Sequence, residues 1–130
     1  MAKGDDIQER LVQLAVDVVR ICDNLPSSSS AGQVASQLLR SGTAPAPNYA
    51  EARGAESDRD FIHKLGIVMK ELNDSLVWLN IIEKGCMLPK EDLTRVQGEC
   101  TTMCRIIAAS INTVRKRCGA EMKNPGRGPG

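Results

Sequence analysis

The chain has 130 residues, 42% of them apolar and 25% charged, with a formal net charge of +1 and only three aromatic side chains, Tyr49, Phe61 and Trp78. That is the size and composition of one globular domain. It excludes a nucleic-acid binder that works through overall basic charge, and no apolar run approaches the length of a membrane span. It also disfavours a strand-built core, which draws on aromatic and β-branched residues in alternation.

Apolar residues instead recur at steps of four and three. In the first stretch Ile7, Leu11, Leu14, Val18, Ile21 and Leu25 share one face of a helix. The spacing predicts a helix from Asp5 or Asp6 to about Asn24, with the two aspartates favourable at its positive end. Leu25-Pro26 and the serines 27–30 stop it in a surface loop.

A second helix starts near Ser29 or Ser30, with Val34, Leu38 and Ser41 on its stripe. Pro45 and Pro47 fall within the pattern, which resumes at Asn48, Ala52 and Ala55. Proline removes a helical hydrogen bond and clashes with the preceding turn. The preferred reading is one long helix kinked at Pro45 to Pro47, the alternative two short helices. Asn48 and Glu51 follow the kink, and an inward amide at Asn48 is placed to satisfy carbonyls that the kink frees.

The third helix opens near Ser57 or Asp58, where Ser57 and Asp60 form a loose capping box, and runs through Lys84. Gly85 suits a left-handed C′ position. Its stripe is Phe61, Leu65, Val68, Leu72, Leu79 and Ile82, with Ser75 in the one gap. Ile62, Met69 and Leu76, with Val77 and Trp78, widen the apolar face. A helix this apolar covers several neighbours or meets another subunit. Leu88-Pro89 opens a fourth helix with Leu93, Val96, Cys100, Cys104, Ile107, Ile111 and Val114, ending between Arg117 and Gly119. Residues 1–119 thus read as a single all-α, up-down-up-down left-handed four-helix bundle, and 120–130 as a disordered Gly/Pro-rich tail.

No catalytic or metal constellation emerges. The five cysteines, an odd number, form no disulfide framework, and no secretory signal is present, so a reducing cytoplasm is the expected compartment. Cys100 and Cys104 lie one turn apart, but on the apolar stripe, where cysteine acts as a small hydrophobe. His63, the only histidine, reads as a surface residue. Glu51, Glu71 and Glu99 lack the Glu-x-x-His partners of a di-iron bundle. No cofactor and no enzymatic activity are expected. From Thr102 onward, however, Arg105, Arg115, Lys116, Arg117, Lys123 and Arg127 face only Glu121, a local charge of +5. Such a cluster either complements the helix dipole or contacts phosphate.

The stretch Arg40-Ser41-Gly42-Thr43-Ala44-Pro45-Ala46-Pro47-Asn48-Tyr49-Ala50-Glu51-Ala52 resembles the Arg…Ser-Ile-Pro-Ala-Asn-Ile-Ala-Glu-Gly segment of a bacterial four helix bundle protein family. Members are encoded in intervening sequences of large-subunit ribosomal RNA genes. Asp60-Phe61-Ile62, Leu65-Gly66-Ile67 and Glu71-Leu72 are similar to its third helix, and Glu99-Cys100 with Met103 to its fourth, so the likeness spans roughly residues 7 to 117. The resemblance implies a homopentameric ring. It extends to the accessory protein of diversity-generating retroelements, whose basic ring binds nucleic acid and partners a reverse transcriptase. On that reading Arg105, Arg115, Lys116 and Arg117 contact RNA or DNA phosphates, with Arg40, Arg53, Arg59 and Lys64 as further candidates. The alternative is a protein-interaction scaffold whose basic end is only solvated.

Overall fold

The structure, a computed structural model, describes residues 3–123, all of whose regular elements are helical. They are α1 (Lys3–Asp23), α2 (Ser29–Thr43), α3 (Pro45–Arg53), α4 (Asp58–Lys84), a 3-10 turn at Lys90–Asp92, and α5 (Thr94–Lys123). Local chemistry sets most of these boundaries. Asp5 and Asp6 occupy the first turn of α1. Ser28 caps α2 by accepting from the Ala31 amide at 3.1 Å. Ser57 caps α4 by accepting from the Asp60 amide at 3.1 Å.

The second arm of the bundle is bent, and the break falls at Ala44, just ahead of Pro45 to Pro47. Ala44 keeps right-handed dihedrals (φ −79°, ψ −34°), so α3 continues from α2. Pro45 takes the first position of α3, where a missing N–H costs least. Asn48 is half-buried, but it does not serve a carbonyl freed by the prolines. Its side-chain amide donates to the Ala44 carbonyl at 2.9 Å, which already accepts from the Asn48 backbone amide at 3.2 Å, whereas Pro45 and Pro47 remove the helical donors to the Ser41 and Thr43 carbonyls. Glu51 does not join it. That side chain is exposed, and only its backbone carbonyl takes part, accepting from the Gly54 amide at 3.1 Å.

Two other ends differ from the sequence reading. Gly85 is not left-handed (φ −79°), and Cys86 takes that conformation at φ 54°. Gly85 stays helical because its amide still bonds the Ile81 carbonyl at 2.8 Å, so the reversal falls one residue later. The last helix continues past Gly119 to Lys123, so the first residues assigned to the tail are helical; 124–130 lie outside the described residues.

Cross-helix bonds fix the topology. Gln8 Nε2 donates to the Ala46 carbonyl and Cys22 Sγ to the Ala35 carbonyl, so α1 runs antiparallel to the α2–α3 arm. Gln97 meets Asn80, and Arg117 meets Asp58, so α4 and α5 are antiparallel. The helices α1 and α4 each border α2, α3 and α5 and lie diagonally across the bundle. Leu11, Leu14, Val18, Leu38, Leu65, Val68, Leu72, Leu79, Leu93, Cys100, Met103 and Ile107 are buried between them. Ile62, Met69, Leu76 and Trp78 pack half-buried against this core, so α4 is wide because it is central, while Val77 stays in solvent. Ser75 fills its gap by donating to the Glu71 carbonyl (2.8 Å), with its oxygen 3.0 Å from Ser41 Oγ.

Gly42 sits where α2 approaches α1 closely. A Cβ there would lie 2.7 Å from both methyl groups of Val18, whose β-branched side chain has little freedom to move. Gly42→Ala is therefore expected to lower stability by about 1–3 kcal/mol, read as a shift in the urea midpoint with unchanged slope.

Candidate nucleic-acid interface

One end of the bundle gathers the start of α1, the end of α3, the start of α4 and the last turns of α5. It holds a cleft of about 750 Å³ walled by Ile7, Tyr49, Phe61, Ile106 and Val114, with Arg53 and Arg117 at its rim. Five of the eight basic residues singled out from the sequence belong to this end: Arg53, Arg59, Arg115, Lys116 and Arg117. Each is exposed. Lys64 lies further along α4 and is half-buried. The other two are elsewhere. Arg105 is about 15 Å back along α5 from Arg115. Arg40 stands in the last turn of α2, on the other arm.

The fold also brings acids to this end. Arg117 donates to Asp58 Oδ1 at 2.9 Å, and Arg53 donates to Asp5 Oδ1 at 2.8 Å. The cluster of +5 in the sequence is thereby partly neutralised at Arg117 by Asp58 of α4, while Asp5 of α1 engages Arg53 of α3. Among the described residues Arg59, Arg115 and Lys116 have no ion-pair partner, nor do Lys64, Arg105 and Arg40. The exposed cations left at this end are thus Arg115 and Lys116 on one helical turn and Arg59 on the first turn of α4.

Charge does its structural work along the α1–α5 seam. Arg10 grips Glu99 with two bonds, Nη2 to Oε1 at 2.7 Å and Nε to Oε2 at 3.1 Å. Further along, Arg95 Nη1 donates to Asp17 Oδ2 at 3.0 Å, and Gln13 Nε2 to Asp17 Oδ1 at 3.1 Å. Burial pushes the Asp17 carboxyl up. The bonds from Arg95 and Gln13 and the charges of Arg95 and Arg20 outweigh it, so Asp17 sits below its ordinary value. Sequence reading missed these pairs, because no local spacing connects α1 to α5. The second cleft, about 430 Å³ and lined by Asp17, Arg20, Asp92 and Arg95, lies at the far end of the same seam.

Nucleophilic chemistry finds little support in the thiols. Burial, with the nearby Asp23 charge, pushes Cys22 to about 11. Burial, with the Cys104 and Glu99 charges, pushes Cys100 to about 12. Both stay protonated thiols near neutral pH. Cys104 Sγ donates to Asn73 Oδ1 at 3.4 Å. Glu71, unlike Glu51, is buried, with Oε1 3.3 Å from Lys70 Nζ. His63 is exposed. Among the described residues no three His, Cys, Asp or Glu side chains are grouped as a metal site requires, and no helix is long and apolar enough to cross a membrane.

Known proteins share this architecture. Residues 5–109 match the family model described as 23S rRNA-intervening sequence protein. A crystal structure of a protein with unknown function, from the S23 ribosomal protein family of Bacteroides thetaiotaomicron, superposes with a TM-score of 0.79. It is 27% identical, and the match covers 85% of this chain and 99% of that one. No curated protein matches the chain.

Two outcomes follow from the titration of these groups. Asp17 has a lowered value in the folded state, so its contribution is present above an unfolded value of about 3.9 and fades as pH falls through the folded one. Wild type should exceed Asp17→Asn in unfolding free energy by on the order of 1 kcal/mol at neutral pH, the gap closing in acid. For the thiols, iodoacetamide at neutral pH should label exposed Cys86 first and spare Cys100 and Cys22 until urea unfolds the chain, as peptide mass mapping will show.

Proposed function

The chain belongs to the 23S rRNA-intervening sequence protein family, and from that premise we propose that it is a non-enzymatic, nucleic-acid-binding accessory protein acting as an oligomeric ring. One observation carries the reading: Arg115 and Lys116 stand exposed and without ion-pair partners on the last turns of α5, beside the start of α4 with Arg59. Exposed cations without acidic partners remain available to phosphate. Per subunit the patch is small. Repetition around a ring multiplies a weak contact into useful avidity, and the homopentamer implied by the family resemblance supplies five copies. A reverse transcriptase is the protein partner that the same resemblance suggests. The family's name refers to intervening sequences of 23S ribosomal RNA, where its members are encoded, and names no ligand.

A second reading, a protein-interaction scaffold, draws on different residues. Arg53 and Arg117 are already engaged by Asp5 and Asp58, and exposed aliphatic side chains stand on α1, α2 and α4.

Fluorescence anisotropy with labelled RNA and DNA separates the two. Binding should weaken steeply between about 50 and 200 mM salt. Arg115→Ala with Lys116→Ala should reduce affinity similarly for all sequences and flatten the salt slope by about one for each phosphate no longer neutralised. Arg53→Ala, which removes a paired arginine, should change it far less. Absence of salt-dependent binding by the assembled protein leaves the scaffold.

A further inference from the structure

Among the described residues six large hydrophobic side chains are exposed: Val12, Val16, Val19, Leu39, Val77 and Ile81, at 37% to 56% of their full surface. They fall on two faces. Val12, Val16 and Val19 repeat the four-three step on α1, on a side turned away from its buried stripe. The contacts of Val18 with Gly42 and of Cys22 with Ala35 set the register of α2 on α1, which places Leu39 between those two levels. Val77 and Ile81 lie one turn apart on α4.

The two stripes have opposite ends. Continuing outward in four-three steps, the α1 stripe ends in Glu9 and Asp23. The α4 stripe ends in Lys84 and, through Asp74, in Lys70. Glu9 to Asp23 and Lys70 to Lys84 are the same length of helix, about 21 Å. All four terminal residues are exposed. Among the described residues Glu9, Asp23 and Lys84 have no ion-pair partner, while Lys70 holds Asp74 at 3.0 Å and Glu71 at 3.3 Å on its own helix. Asp74 is thereby neutralised within its stripe.

A single chain cannot bring these faces together, because α1 and α4 are diagonal and their outer sides look away from each other. A second copy can. We infer that the α1 face of one copy packs on the α4 face of the next, head to tail. Aliphatic side chains at a period near 3.5 interlock as in a coiled coil. The acids that end one stripe meet the lysines that end the other and fix its register. A contact between two different faces leaves one of each open at every step, so it propagates until the assembly closes. This deepens the ring of the proposed function and rests on it.

Native mass spectrometry and light scattering of the full chain test it. Val16→Glu and Val77→Glu each change an exposed side chain, so helical circular dichroism and cooperative melting should persist. Each variant alone is expected at monomer mass. Mixed in equal amounts they should form a one-to-one pair and nothing larger, because one retains the α4 face and the other the α1 face. Glu9→Lys with Asp23→Lys should weaken assembly, and adding Lys70→Glu with Lys84→Glu should restore it. Either glutamate variant holding wild-type mass overturns the inference and leaves the ring standing. A mixture that stays monomeric overturns the head-to-tail pairing. A monomeric wild type overturns the ring itself.

Discussion

The close approach of α2 to α1 at Gly42 sets the position of the entire second arm. A side chain at that position would meet Val18 at 2.7 Å, so the two helices touch there through backbone and methyl groups. The packing one turn to either side depends on this spacing. Ser41 reaches Ser75 across the core. Pro45 then ends α2 without turning the chain away, and α3 descends far enough for Ala46 to accept from Gln8 and for Arg53 to meet Asp5. Asn48 adds a side-chain bond to the Ala44 carbonyl, which its own backbone amide already serves. A bundle with so few aromatic residues has few bulky wedges to absorb misfit, so its helices must meet through aliphatic stripes at short range.

Charge has two roles in this molecule, and they are spatially separate. Along the α1–α5 seam, Arg10 with Glu99 and Arg95 with Asp17 join two helices that otherwise approach each other little. These are interhelical fasteners, and their protonation states serve stability. At the end of the bundle, Asp5 and Asp58 draw Arg53 and Arg117 into similar pairs, which leaves Arg115, Lys116 and Arg59 to face solvent. The basic end is therefore narrower than the sequence cluster implies, and the candidate ligand contacts concentrate on two neighbouring helices.

The exposed valines of α1 show how a legible signal can be passed over. Val12, Val16 and Val19 follow the same four-three step as the buried stripe beside them. Without a structure the two stripes compete for one core, and the stronger one takes the assignment. In α4 the reverse holds: Ile62, Met69, Leu76 and Trp78 suggest a second interface, yet three neighbouring helices largely cover them. The outward residues there are Val77 and Ile81.

What the sequence determined by itself are the properties carried within one helix. The α-helical period places Leu11 with Leu14 and Val18, serine caps α2 and α4, and proline marks the bend, because residues a few positions apart are fixed relative to each other by local geometry. Tertiary structure alone decided which charges survive. Asp5, Asp58, Glu99 and Asp17 stand between 48 and 89 residues from the arginines they bind, and no local period relates them. An ion pair forms where helix packing brings two side chains within about 3 Å. The basic surplus of α5 could be counted along the chain, and only the packing of α4 against it showed how much remains to meet a ligand.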